Sequence, residues 1–235
     1  MKKITIGLMT IIIATVLVSC AILINVGNGD LVSIEKNVSL FEKVNCGGSA
    51  EVRFHASPDY KIIVTADSNL INNIETVVEN KTLSIWAKYE NYSFTTIIVD
   101  IYCPVLTGIS ISGSGKFTSD DTITVSSFES EVSGSGKIEG TIDCETFLVK
   151  ISGSGKINIS GNCNNSNVSI SGSGNFNGFD FNVKDAIISI TGSGKADVHV
   201  SDYLKAIITG SGSINYRGNP VVNSQITGSG KITKM

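Results

Sequence analysis

Gly-Ser-Gly begins at Gly113, Gly134, Gly153, Gly172, Gly192, Gly210 and Gly228, with successive spacings of 21, 19, 19, 20, 18 and 18 residues. A period near 20 is the mark of a solenoid, in which one repeat forms one coil that cannot bury its apolar face alone and so stacks on the next. The register agrees. Two residues before each motif stands an apolar side chain (Ile111, Val132, Ile151, Ile170, Ile190, Ile208, Ile226), and the second residue after it is apolar as well (Phe117, Ile138, Ile157, Phe176, Ala196, Ile214, Ile232). Stacked in parallel, each set becomes an interior column advancing about 4.8 Å per coil, and branched residues suit such strands. The Ser or Thr before each motif (Ser112, Ser133, Ser152, Ser171, Thr191, Thr209, Thr227) then faces outward or caps a corner that glycine allows. The expected fold is an all-β, single-stranded β-solenoid (β-helix) with about 18–21 residues per coil.

Composition supports strands over helices, with 24 glycines and only 3 prolines in 235 residues. A net charge of -3 gives no bulk signal for nucleic acid or an acidic polymer as partner.

The opening MKKITIGLMTIIIATVLVSC places Lys2 and Lys3 before an apolar run and ends at Leu17-Val18-Ser19-Cys20, the layout of a bacterial export signal. Leu-Val-Ser-Cys is similar to the lipobox of bacterial lipoproteins, which makes Cys20 the expected lipid attachment point. A second reading stays open, because Ile4 to Val26 is long enough to span a bilayer as an uncleaved helix; a soluble secreted product is a third. All three send the remainder out of the cytoplasm. The chain therefore divides into a signal segment (1–20), a polar, glycine-containing tether within 21–37, a strand-rich first part of the solenoid (38–112) and regular coils (113–235). In the strand-rich part SAEVRFHA, YKIIVTA, KTLSIWA and FTTIIVDIYCP alternate apolar and polar residues, with SPD, ENKT and YENY as turns. SNLINNIETVVEN has room for one helical turn, but its residues are modest helix formers and strand or loop is preferred.

A glycine pair followed by lysine raises the question of a phosphate loop, and the surroundings answer it. Lys150 stands where the first glycine of a Walker loop belongs, Lys156 is followed by Ile157 instead of a hydroxyl, and no helix opens there. The calcium-binding nonapeptide solenoid fails too, since Gly-Ser-Gly-Lys offers no aspartate and the period is about twice too long. No metal is expected, for neither Cys-x-x-Cys nor clustered histidine occurs. His55 and His199 are isolated, without a nucleophile motif, and read as exposed strand residues. Asp120, Asp121, Glu129 and Glu131 are the carboxylates that a coil face would have to gather for catalysis, but the coils are of nearly uniform length and carry no large loop. No catalytic residue and no cofactor are assigned.

Two features remain. Lys116, Lys137, Lys156, Lys195 and Lys231 follow the motif, interrupted by Asn175 and Ser213, and would form a basic ladder along one edge. Such a ladder can capture an anionic glycan or surface polymer; the plainer reading, preferred on the negative overall charge and the mutual repulsion of stacked lysines, is a solvated edge that resists strand aggregation. Cys144 and Cys163 each lie ten residues after the start of their motifs and so stack directly, within the Cα separation a disulfide allows. Two reduced cysteines packed as small apolar residues are the alternative. Cys46 and Cys103 have no register to test.

An exported N-terminus, then Val99-Asp100-Ile101-Tyr102-Cys103-Pro104-Val105-Leu106 leading into Thr107-Gly108-Ile109-Ser110-Ile111-Ser112-Gly113-Ser114-Gly115 and recurring Ser-Gly-Ser-Gly, resembles the family called putative auto-transporter adhesin, head GIN domain. The resemblance runs from about Phe41 to Lys231 and implies a right-handed β-solenoid on the cell envelope; it brings no catalytic or ligand residues. The function expected is a non-catalytic binding or structural module of the cell envelope or surface, membrane-anchored through an N-terminal lipid or helix, with a glycan or surface protein as partner and no nucleic acid. The alternatives are a carbohydrate-active solenoid enzyme and an envelope-stress accessory. Because solenoids need capped ends, the apolar C-terminal end is expected to pair with a second copy or a partner.

Overall fold

The computed structural model describes residues 25–88 and 92–235. The apolar alternation of the first part resolves into nine short strands: β1 (Asn25–Val26), β2 (Leu31–Asn37), β3 (Lys43–Gly48), β4 (Glu51–Ala56), β5 (Lys61–Asp67), β6 (Ile74–Glu79), β7 (Thr82–Ala87), β8 (Tyr92–Ser93) and β9 (Ile97–Cys103). One 3₁₀ turn, Ile71–Asn73, precedes β6. β6 and β7 form an antiparallel hairpin whose two turn residues, Asn80 and Lys81, hold φ of 50° and 59°. Positive φ at both positions matches the twist that two-residue hairpins require. β5 lies antiparallel between β2 and β9, while β4 pairs in parallel with β9. Alternate residues of these strands turn inward, so Val52, Phe54, Ile62, Val64, Leu83, Ile85, Val99 and Ile101 are buried together.

The regular coils follow: β10 (Gly108–Gly113), β11 (Lys116–Gly134), β12 (Lys137–Gly153), β13 (Lys156–Gly172), β14 (Asn175–Gly192), β15 (Lys195–Gly210), β16 (Ser213–Arg217), β17 (Val221–Gly228) and β18 (Lys231–Lys234). β10 to β15 each pair in parallel with the next, β15 carries both β16 and β17, and β18 closes on β16. The result is an all-β solenoid of about 7 turns. The column Ile111, Val132, Ile151, Ile170, Ile190, Ile208, Ile226 is in strict register and buried as far as Ile208. So is the column from Phe117 to Ile214. A third column brings Phe128 over Phe147, ring centroids 6.2 Å apart. Each such buried side chain contributes roughly 1.5–3 kcal/mol relative to exposure.

The letters of the motif each have a physical reason. The first glycine of every copy sits at φ between 113° and 122°, a region almost closed to residues with a Cβ. A Cβ on Gly172 would also lie 2.6 Å from the carbonyl oxygen of Gly153, the glycine one coil back. That carbonyl is occupied: it accepts the Ser173 amide at 2.9 Å, as the other first glycines do for the next coil's middle serine. The second glycine makes room for the preceding coil's branched column, for a Cβ on Gly174 would stand 2.3 Å from Cγ2 of Ile151. Apolar column and glycine column therefore specify each other.

The same grammar reaches one coil further toward the N-terminus than Gly-Ser-Gly suggests. β3 pairs with β10 so that Cys46 meets Ile111 and Gly48 meets Gly113, and the Ser114 amide donates to the Gly48 carbonyl at 2.8 Å. Gly48-Ser49-Ala50 is a corner with alanine in the last place. The segment from 21 to 37, read from composition as a tether, is corrected in its second half: β2 pairs with β5 along its whole length, and Ile34 packs against the core. The polar stretch before it is a turn held from within. Asp67, fully buried, accepts the Gly29 amide at 2.8 Å, the Thr95 amide at 2.8 Å and the Thr95 hydroxyl at 2.7 Å. Burial alone would raise this carboxyl, but those hydrogen bonds outweigh it and hold it below its ordinary value. The signal segment with Cys20 lies outside the described residues.

Two expectations follow from these contacts. Gly172→Ala, which meets both the φ and the carbonyl constraint, should lower stability by roughly 3 kcal/mol in urea unfolding, whereas Ser173→Ala at the exposed neighbouring position should stay within about 0.5 kcal/mol. Asp67→Asn should destabilise the fold at pH 7. A carboxyl depressed in the folded state adds stability above its unfolded pKa of about 3.9 and loses it as pH falls through the folded value, so the gap between parent and variant should close below about pH 4 in pH-resolved thermal melts.

Candidate functional site

The lysines that follow the motif stand beside a second column, two residues on, that contains Glu139, Asn158, Asn177, Asp197 and Asn215. Strand geometry puts both columns on the outer face, and they compensate one another. Lys137 Nζ lies 2.8 Å from Glu139 and Lys195 Nζ 2.7 Å from Asp197, while Lys116 reaches Glu51 and Glu139 at 3.8 Å each. Asn158 and Asn215 donate to the same carboxylates at 3.0 and 2.7 Å. Partial burial works to raise Glu139, yet the hydrogen bonds from Lys137 and Asn158 and the nearby lysine charges hold it below the usual carboxylate range. Lys156 and Lys231 form no ion pair among the described residues. The edge is thus a mixed ladder of cations, carboxylates and amides.

His55 lies in β4 and its Nε2–H donates to Asp100 Oδ1 at 2.9 Å, with its ring stacked on Tyr102 at 4.7 Å. Lys61 Nζ stands 4.8 Å from the other aromatic partner of that stack, the Tyr102 ring centroid. Sequence spacing hid this pair, because His55 and Asp100 are 45 residues apart and meet only through the β4–β9 register. Of the four carboxylates considered for catalysis, Asp121 accepts the Ala56 amide at 2.9 Å and ends β4, and Glu129 pairs with Lys43 at 3.0 Å. Both have structural partners.

A third polar column runs along the side of the coils: Asp143, Asn162, Asn182 and His199 occupy one register position on β12 to β15. Asp143 Oδ1 accepts both the backbone and the side-chain amide of Asn162 at 2.9 Å, and Asn182 donates to Asn162 Oδ1 at 3.2 Å. Beside the column opens a groove of about 390 Å³ that also takes in Cys144, Cys163, Asn164, Lys184 and Ser201. The two cysteines are register partners with sulfurs 3.4 Å apart; Cys144 donates to Cys163, and Cys163 donates onward to the Asn165 carbonyl at 3.1 Å. That first hydrogen bond, with burial added, pushes the Cys144 thiol up, and it lowers Cys163 against the effect of burial. Cys46 and Cys103 are different: both are inside the core, where loss of hydration pushes them up to about 11 and about 12.

A second cleft, of about 540 Å³, opens at the N-terminal corner where Gly47 and Gly48 face Trp86 and Phe94. Its walls include Ile74, Ile85 and Ile97, so it is an apolar recess beside a backbone turn. Trp86 is 38% exposed there. Among the described residues no group of three or more His, Cys, Asp and Glu side chains is placed to hold a metal ion, and no helix is long and apolar enough to cross a membrane.

This architecture has relatives among solved structures. An adhesin candidate from Bacteroides fragilis superposes with a TM-score of 0.83 at 21% identity over 89% of this chain and 99% of its own. A protein from Parabacteroides distasonis described as a putative lipid binding protein gives 0.74 at 26% identity, covering 89% and 98%, and an adhesin candidate from Parabacteroides merdae gives 0.74 at 23%, covering 89% and 98%. No curated protein matches the chain. The family model described as "Putative auto-transporter adhesin, head GIN domain" matches residues 40–220, the span that holds the corner grammar from Gly48 to Gly210, and the chain belongs to that family.

Proposed function

We propose that this protein is a non-catalytic, adhesin-like binding module of the cell surface, anchored through lipid on Cys20, and that the groove beside Asp143, Asn162, Asn182 and His199 takes an extended glycan. The observation that carries this reading is the ladder itself: planar amide, carboxylate and imidazole groups recur once per coil along an open groove. A chain polymer with hydroxyls along its edge can meet such groups coil after coil, each with a donor and an acceptor to offer. Membership of an adhesin-head family supports a surface role. The lysine edge is the weaker candidate receptor, because Lys116, Lys137 and Lys195 already have carboxylate partners.

A second reading rests on the apolar recess at Trp86, together with the likeness to a protein described as lipid binding. In that reading the recess receives an acyl chain.

Three measurements on the full-length protein separate these. On a glycan array followed by calorimetry, the parent should bind a surface glycan saturably, Asn162→Ala/Asn182→Ala should weaken it at least about tenfold, and Gln at Lys116, Lys137, Lys156, Lys195 and Lys231 should change it less than about twofold. Absence of binding, or turnover of the glycan, would overturn the proposal; loss only in the lysine variant would move the receptor to that edge. Trp86 is the single tryptophan, so titration with a short-chain fatty acid should shift its emission to the blue if the recess takes acyl chains. An unmoved spectrum at saturating lipid rejects that second reading.

A further inference from the structure

The four cysteines among the described residues fall into two pairs, one inert and one poised to react, and position decides which. Cys46 and Cys103 lie at 0% exposure inside the core, where a thiolate is costly and reagents do not reach. Cys144 and Cys163 instead line an open groove, with Cys144 half-buried and Cys163 5% exposed. Their sulfurs are 3.4 Å apart on adjacent coils, and each sits at the same register position of its strand.

We propose that Cys144 and Cys163 form a groove-lining dithiol that cycles to a disulfide by exchange with a small disulfide or a disulfide-carrying oxidoreductase entering the groove. The inference stands apart from glycan binding and survives its failure. The step balances as an ordinary exchange. One thiol of the pair loses its proton and attacks a sulfur of the incoming RS–SR, whose S–S bond breaks as RS⁻ departs. The second thiol then loses its proton, attacks the protein-bound sulfur of the mixed disulfide and expels the other RS⁻. Two protein thiols are oxidised and one disulfide is reduced to two thiols. The S–H donated by Cys144 favours the thiolate of Cys163, which gives the pair a first proton to lose.

The geometry also argues for a bond that is readily reversed rather than a permanent staple. The half-buried Cys144 sulfur borders the groove, where a thiolate from solution can reach it and run the exchange backward. A disulfide that can be reached from an open groove is the labile kind.

The test uses the full-length protein incubated in buffers graded from reduced to oxidised glutathione, alkylated, digested and read by peptide mass. Lys150 and Lys156 separate the two cysteines into different peptides. The expected result is a linked Cys144–Cys163 pair, 2 Da lighter, that rises with oxidised glutathione and disappears on transfer to the reduced buffer, with Cys46 and Cys103 alkylated only after denaturation. Cys144→Ser should trap glutathione on Cys163. A pair that stays reduced in every buffer, or one that once linked resists the reduced buffer while folded, overturns the proposal. These wild-type outcomes decide the matter even where the serine variant does not fold.

Discussion

Everything in this molecule depends on the stacking of one backbone corner upon another. A parallel ladder satisfies amide and carbonyl groups between coils, but it must pass each corner without leaving them unpaired in the interior. The first glycine of each motif does this by taking positive φ and letting its carbonyl receive the next coil's serine amide. Because the acceptor is the glycine one coil back, the column is as strong as its neighbours allow: a side chain at one position disturbs two coils. Repetition of the motif is thus a steric requirement passed from coil to coil, and it is why the serines between the glycines, which point to water, can vary at little cost.

That coupling also explains how much was legible in the sequence. Interior columns and corners were readable wherever the register was exact, since one apolar position before and one after each glycine pair fix a coil. The earlier corner at Cys46-Gly47-Gly48-Ser49-Ala50-Glu51-Val52 obeys the same spacing, with Cys46 and Val52 in the apolar places, but alanine for the second glycine removed the visible signature. Alanine stands in that place beside the recess lined by Ile85 and Trp86. β2 was missed for a different reason. Its neighbourhood has a linker's composition, and the groups that tie it down, strand β5 on β2 and Asp67 on Gly29 some 38 residues away, lie far along the chain. The same holds for His55 with Asp100, which meet through two paired strands far apart in the chain, whereas Cys144 with Cys163 follows from the repeat itself, so spacing revealed that pair.

Polarity on the outside follows a rule that simple charge counting does not capture. In an in-register stack, identical residues lie directly above one another, so a pure lysine column would repel itself. Here the adjacent column supplies Glu139 and Asp197 beside Lys137 and Lys195, and asparagines complete the carboxylates' hydrogen bonds. Inside, the exceptions are hydroxyls. Ser130 and Ser166 are buried without a partner among the described residues, and Ser166 holds a place between Phe147 and Ala186 in the aromatic column, so each gives up hydration without a hydrogen bond in return.

The coils differ in length, and where they absorb the difference bears on function. From β11 to β12 the register slips between Thr118 and Thr122, from β13 to β14 between Asn158 and Gly161, and from β14 to β15 between Gly178 and Asn182 and again before Asp185. The corners at Gly-Ser-Gly and the strands leading into them never slip. All the irregularity therefore falls on the stretch that follows each corner, next to the column of Asp143, Asn162, Asn182 and His199 and the groove that contains the two thiols. A repeat that keeps one edge invariant can change another without unstacking, because the glycine ladder holds the register regardless. Binding chemistry that must differ from one member of such a family to the next has a physical reason to collect on this flank, and the strict edge has a physical reason to stay free of it.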